Sequence, residues 1–358
     1  MTYLLYSFLF FFVGLVFSSQ KTTRKRYIYY LFFGIVLFWG LSYIHAVDTE
    51  GYITKFYYDI QTIGGQIDHQ FEIGYTKSAM IAKTIIPHYW FYQFIVFGIE
   101  IWLIFWGLRK FFGDEELMFI LPLLFFLYPS NLAAFRQGMV ISIFIFALHY
   151  IIDEKFKKSL LFFVFILIAT LFHQSAIILI LVYFARYMQK ILSNEWIIFL
   201  LLAVVDIIWI TGSSLTTQLD ILLPFFYSDT LVMGEKYAQF IENGEWGTTY
   251  GIAKAIEINA TVIMYVLFCK KDKGMELFRL NIMLYALFGL AFGGMIAHRL
   301  NYYWALIYYT CLIQAVVSFL GKVKLQVIAY LLIAVYMIWF HIFNGGLINS
   351  EYSLIFGL

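Results

Sequence analysis

Residues 159–188 read SLLFFVFILIATLFHQSAIILILVYFARYM, and no charged side chain interrupts them before Arg186. About 20 apolar residues suffice for a helix to cross a bilayer, so this run is long for one span and short for two. The sequence permits either one long span or a hairpin of two short helices breaking near His173. Each reading fixes the side of everything downstream, and the positive-inside rule separates them. One span would leave Lys270, Lys271 and Lys273 outside. With the hairpin, the cytoplasmic segments gather Lys21, Arg24, Lys25 and Arg26, then Arg109 and Lys110, then Lys155, Lys157 and Lys158. Further on they gather Arg186 and Lys190, then Lys270, Lys271, Lys273 and Arg279, and finally Lys322 and Lys324. Together these are seventeen of the 24 Lys and Arg residues. Lys55, Lys77, Lys83, Arg136, Lys236, Lys254 and Arg299 lie on the opposite side or in spans near it. The hairpin is the reading that the charges favour.

On either side of the hairpin, apolar segments recur at about residues 3–18, 27–44, 88–108, 115–129, 132–152, 194–212, 249–269, 277–297, 301–320 and 325–344. With the hairpin counted as two, the expectation is twelve membrane helices with both termini outside, in a single transmembrane domain over residues 1–358. The chain is 63% hydrophobic and 13% charged, where a soluble domain carries about 25% charge. A water-soluble fold is excluded. In hydrocarbon the backbone must satisfy its own polar groups, so the spans are helices, and the alternating short segments of a barrel are absent. The fold class is therefore an all-α polytopic membrane protein. Met1–Ser18 has no basic residues before its apolar run, which predicts a retained helix over a cleaved signal. The net charge of +2 sits in short clusters, so nucleic acid is not an expected partner, whereas membrane lipids are. Cys269 and Cys311 fall in or at the end of spans and suggest neither a disulfide framework nor a metal site.

Two segments are too long for simple turns, residues 45–87 and 213–248, and both face outward in this topology. The first carries Asp48, Glu50, Asp59, Asp68 and Glu72, with an amphipathic surface helix expected from Ile73 to Ile86. The Gly51-Tyr52 and Gly74-Tyr75 pairs within it suggest tight turns. The second carries acids among aromatics such as Phe225, Tyr237 and Trp246.

Ionisable groups near these outer segments are the candidates for chemistry. Arg136 lies one turn into a span, where an arginine costs roughly 2.5–3.5 kcal/mol, so it needs a partner, a wet cavity or a route to the interface. A guanidinium there can clamp phosphate or carboxylate oxygens in pairs, with Gln137 adding a neutral donor. Arg299 sits at the same outer level beside His298 and Asn301. Its plain reading is an interfacial anchor, because Tyr302, Tyr303 and Trp304 follow it. His173 falls at the hairpin break, where it can bind freed backbone groups, exchange a proton, or donate to a phosphate. Asp48, Glu50 and Glu72 offer carboxylates just outside the membrane, any of which can act as a base or remain a solvated loop acid. The Asp-x-Glu spacing at 48–50 is weak evidence for a cation, and no metal is assigned. No Gly-rich phosphate loop, His-Glu-x-x-His, Cys-x-x-Cys or Gly-x-Ser-x-Gly motif is present, which argues against nucleotide-driven chemistry. An outward constellation of arginines, a histidine and acids suits a phosphate-linked lipid substrate.

The ordered set DTEGY at 48–52, EIGY at 72–75, FRQG at 135–138, LFHQSA at 171–176 and HRLNYYW at 298–304 resembles the EpsG-like polysaccharide polymerases, relatives of the Wzy-type O-antigen and capsule polymerases. That resemblance implies a GT-C-like glycosyltransferase architecture in a bacterial inner membrane, with the active site facing the periplasm or exterior. It implies polymerisation of undecaprenyl-diphosphate-linked repeat units without a cofactor, and leaves a chain-length-regulating partner open. Under it, Arg136 and Arg299 bind the donor diphosphate, His173 assists there or acts as base, and Asp48 or Glu72 competes for the role of base. Gln137, Glu50, Tyr237 and Tyr303 fall among the substrate-binding residues. The rival readings are an O-antigen ligase, a membrane O-acyltransferase and a lipid-linked sugar flippase. The flippase is disfavoured because the charges cluster toward one face and no repeat symmetry is visible.

Overall fold

The computed structural model describes residues 24–40, 42–44, 49–65, 71–114, 117, 120–121, 135–152, 156–184, 187–188, 191–211, 252–269, 273–291, 303–315, 318, 335 and 352–354. The spans expected at 3–18, 115–129 and 325–344 lie wholly or largely outside these residues. The chain forms two compact units, residues 1–183 with 320–358, and residues 184–319.

In the first unit, α1 (Arg24–Gly40) leads into the strand β1 (Ser42–Ile44), α2 (Thr49–Thr54) and a π-helical turn, Lys55–Asp59. Next come α3 (Ile73–Ile85), α4 (Tyr89–Leu108), α5 (Phe135–Ile152) and α6 (Phe156–Thr170), then a 3₁₀ helix, Gln174–Phe184. Helices α4 and α5 are long and apolar enough to cross a bilayer. Buried residues cover most of α5, including Val140, Ile141, Phe144, Ile145 and Leu148. A helix apolar all round belongs inside a packed bundle. Phe146 of α5 meets Trp102 of α4 at 6.3 Å and Phe165 of α6 at 5.2 Å, so α5 is flanked by both. A Cβ at Gly107 would stand 2.7 Å from the carbonyl oxygen of Ile145, so α4 and α5 meet almost backbone to backbone, a contact only small residues allow. Gly107→Leu is expected to cost about 1–3 kcal/mol. A thermal melt in detergent should show a lower midpoint, and an unchanged one would contradict this close crossing.

The expected break at His173 is present. Helix α6 ends at Thr170, a turn covers Leu171 and Phe172, and the next helix starts at Gln174. Phe163 and Tyr183, equidistant in sequence from His173, meet with ring centroids 4.7 Å apart and planes tilted by 48°, so the two legs fold back on each other as a hairpin. The second leg is 3₁₀ where an α-helix was expected. Its rise of about 2.0 Å per residue lets a short segment reach further than α-helical winding would.

The all-α expectation misses one feature. The segment expected as a helix to residue 44 leaves helical form after Gly40, because β1 pairs antiparallel with β2 (Tyr352–Leu354), Ser42 opposite Leu354 and Ile44 opposite Tyr352. Backbone hydrogen bonds place both segments at the same level.

The second unit contains α7 (Glu195–Thr211), α8 (Ile252–Phe268), α9 (Lys273–Ala291) and α10, residues 303–315. A short link joins α8 to α9, and Tyr265 and Phe278 stack across it at 4.0 Å. Tyr265 donates to Gln314 of α10 at 2.5 Å, and Gly274 leaves the space Gln314 fills, since a Cβ there would lie 2.8 Å from its amide nitrogen.

Candidate functional site

Arg136 is the second residue of α5, beside Phe135, which packs on Tyr52 and Tyr75. Its Nε donates to the Tyr52 hydroxyl at 3.2 Å, and its Nη1 pairs with Glu72 Oε2. The two side chains are 22% and 11% exposed, so the pair is largely desolvated yet reachable. Cζ of Arg136 lies 4.3 Å from the centroid of Phe71, and Nζ of Lys55 lies 4.2 Å from that same ring. Two cations thus approach one aromatic ring.

Glu72 precedes α3 and joins three elements. Oε2 takes the guanidinium of α5, and Oε1 accepts the Gln174 N–H at 3.2 Å, one of the donors a helix N-terminus leaves unsatisfied. The backbone makes the same connection, since the Gly74 N–H donates to the Leu171 carbonyl at 2.7 Å. That approach explains the first-turn glycine, because a Cβ would stand 2.6 Å from this oxygen. The two Gly-Tyr pairs were expected as turns. Both instead lie in helices, Gly51 within α2 and Gly74 at the start of α3, and Tyr52 and Tyr75 turn inward beneath the site. Tyr75 packs on Phe71 at 5.0 Å and on Tyr52 at 5.5 Å, with its buried hydroxyl lacking a hydrogen-bond partner. Burial pushes this phenol well above the ordinary tyrosine range.

His173 caps the 3₁₀ helix as Asn or Asp caps an α-helix. Its Nδ1 accepts the Ser175 N–H at 3.3 Å and lies 2.7 Å from the Ser175 hydroxyl. An amide N–H can only donate, so Nδ1 is unprotonated and the neutral ring carries its proton on Nε2. Below the cluster, Lys83 of α3 donates to the carbonyls of Phe56, Tyr57 and Ile60 at 2.7, 3.0 and 2.6 Å, tying down the π-helical turn that carries Lys55. Desolvation holds this ammonium below the ordinary lysine value. Lys83→Met is expected to leave three carbonyls short of a donor and to loosen the turn. Protease cleavage within residues 55–65 should accelerate, and an unchanged rate would remove the anchoring role.

The structure thus brings together Arg136, Glu72 and His173. Gln137 follows on α5, partly buried, while Glu50 is exposed in the first turn of α2. Tyr303 is buried in α10 of the second unit. Asp48, Tyr237 and Arg299 lie outside the described residues, as does the 213–248 segment. No group of three or more His, Cys, Asp or Glu residues able to hold a metal occurs among the described residues. Sequence reasoning passed over Lys55, Phe71 and Ser175. Ser175 carries a signal in retrospect, standing two residues after His173 where an N-cap acceptor finds its donor.

Helices α4 and α5, each long and apolar enough to cross a bilayer, and an arginine-centred cluster at the start of α5 define a helical membrane protein. The chain belongs to the EpsG family, which it matches over residues 25–352, a family of Wzy-like membrane proteins of the polysaccharide-polymerase type. It is accordingly a membrane protein of polysaccharide biosynthesis. No curated protein and no solved structure matches it.

Proposed function

We propose that the protein polymerises undecaprenyl-diphosphate-linked oligosaccharide repeat units at the outer face of the bacterial cytoplasmic membrane. In this reaction the bond from the growing chain's anomeric carbon to its lipid diphosphate breaks. A new bond forms to a hydroxyl of the next repeat unit, the hydroxyl proton is released, and undecaprenyl diphosphate departs. The observation that carries the reading is the gathering of Arg136 and Lys55 about the Phe71 ring, with the Arg136 fork held in place by Glu72.

Tyr52 and Glu72 engage two of the five N–H groups of Arg136, which fixes the plane of the fork. The remaining three are assigned to the diphosphate oxygens, where negative charge grows as the leaving group departs. Lys55 adds a point charge at the Phe71 ring. Glu72 accepts hydrogen bonds on both oxygens, one from a guanidinium, and is assigned to positioning Arg136 in preference to proton abstraction. His173 Nε2–H serves as a donor to phosphate.

That last assignment makes a sharp expectation. His173→Gln retains an N–H donor and is expected to keep activity within about threefold, whereas loss of a general base costs about 10²–10⁴-fold. A loss of that larger size would restore His173 as the base. The reaction itself is tested with purified protein in detergent, a synthetic undecaprenyl-diphosphate-linked repeat unit and EDTA. A ladder of lengthening products supports the reading. Movement of labelled lipid across proteoliposomes without a ladder would replace it with transport.

A further inference from the structure

Two arginines of the first unit are held in the same way. Arg109, just past the end of α4, pairs with Asp114 at 3.1 Å and donates to the Tyr29 hydroxyl at 2.9 Å. Arg136 pairs with Glu72 and donates to the Tyr52 hydroxyl. Each guanidinium therefore has a carboxylate and a phenol. Arg279 of the second unit, in the second turn of α9, has neither among the described residues. Its side chain is half-buried, and its Nε is buried without a hydrogen-bond partner. Glu276, one turn before it on the same helix, does not pair with it.

A guanidinium cannot shed its proton in a protein, so it stays charged wherever it sits. A buried donor left unmade costs more on a charged group than on a neutral one. The residues beside Arg279 bring no acceptor side chain: Leu277, Phe278 and Leu280 are buried, and Phe278 stacks on Tyr265 of α8 at 4.0 Å. Snorkelling to water would explain an arginine whose nitrogens all reach solvent, but a buried Nε is not relieved by it. Arg279 stands six residues into α9, about 9 Å along the axis from its start. The link before α9 carries Lys270, Lys271 and Lys273, three lysines within four positions. In the topology that the charges favour, this end faces the cytoplasm. The leaflet there is anionic, and basic clusters beside a span attract its headgroups.

We propose that Arg279 clamps the phosphate of an anionic phospholipid of the cytoplasmic leaflet. A planar fork matches phosphate oxygens in pairs, and the lipid supplies the anion that carboxylates supply to Arg109 and Arg136. The lysines of the link add attraction without fixed geometry. Ile263 and Leu267 of α8, on either side of Tyr265, are 45% and 62% exposed and present apolar surface to acyl chains. A free phosphate has the same oxygens and no use for that surface. Every residue of this site lies within residues 184–319, so the site stands independently of the Arg136 cluster and of the polymerase reading.

The test uses the full-length protein purified in detergent and titrated with phosphatidylglycerol or phosphatidylethanolamine. Binding is read by native mass spectrometry, and stability by the thermal-unfolding midpoint. Wild type should prefer phosphatidylglycerol, and excess inorganic phosphate should displace little of it. Arg279→Gln keeps a neutral donor and should bind phosphatidylglycerol about tenfold more weakly, the size of one lost hydrogen bond to a charged group. Its midpoint in lipid-free detergent should not fall, because an unpaired charge has been removed, while the rise that phosphatidylglycerol gives should shrink. An arginine with a purely structural role would lower the first and leave the second. Arg279→Lys keeps the charge without the fork and should bind with intermediate affinity. Equal preference for phosphatidylglycerol in a monodisperse Arg279→Gln protein overturns the site, as does an absence of preference in wild type. Displacement of the lipid by inorganic phosphate would show a site for free anions and overturn the lipid assignment. Should Arg279→Gln fail to fold, the lysine variant decides, and wild-type affinity in it overturns the clamp.

Discussion

An Arg136→Lys variant is expected to give no visible polymer ladder, with turnover reduced about 10²–10³-fold, the range for loss of a preorganised donor at a developing negative charge. The charge survives the substitution but the fork does not. Arginine donates along its plane to Tyr52 and Glu72 and keeps further N–H groups at fixed angles, while an ammonium is a point charge on a flexible stem. Lysine in that place can neutralise Glu72 or approach a phosphate, and it has no rigid geometry for doing both. Contact with the Phe71 face is also weakened, since a planar guanidinium stacks where an ammonium does not. Lys55→Met should cost less, about tenfold, because Lys55 contributes charge without a fixed fork. Polymer of wild-type length and rate from Arg136→Lys would sink the diphosphate role.

The second large effect belongs to a residue with no side chain. Gly74→Val places carbon atoms where the Leu171 carbonyl now stands, 2.6 Å from the first of them. Backbone cannot rotate away as a flexible side chain can, so α3 and the tip of the hairpin must separate. The expected cost is about 2–3 kcal/mol, in the upper part of the range for overpacking. The activity loss should exceed what the stability loss implies, because separation also breaks the contact from Glu72 to Gln174 and frees the carboxylate that orients Arg136. Hydrogen exchange at the Gln174 amide reads the local event and a detergent melt reads the global one. Protection at Gln174 equal to wild type would show that α3 does not hold the hairpin tip.

What the sequence disclosed follows from where each structural signal resides. The hairpin was legible because charge asymmetry is additive along the chain, and a break at a single His in an apolar run satisfies it. Helices α4, α5 and α3 were legible from length and periodicity, with ends within a few residues of those observed. Arg136 stood out because burying a guanidinium is expensive. Its pairing with Glu72 was not legible, because the two are separated by two expected spans and only tertiary packing, such as that of Tyr75 on Phe135, brings their helices together. The ladder between β1 and β2 was invisible for a related reason, since three residues carry too little pattern to announce a strand. Tyr52 and Tyr75 were misread because glycine beside tyrosine signals a turn locally, whereas here glycine serves close packing and tyrosine serves the interior.

The pairing of Ser42–Ile44 with Tyr352–Leu354 also sets a clock on biogenesis. The first strand leaves the ribosome about 300 residues before its partner, which at about 5–20 residues per second is a delay of roughly 15–60 s. Throughout that interval the edge of β1 is unclosed while residues 184–319, which form a unit by themselves, are being made and can assemble. The first unit is thus begun before the second and completed after it. A chain stalled before Tyr352 would carry every helix described above and still lack the partner of β1.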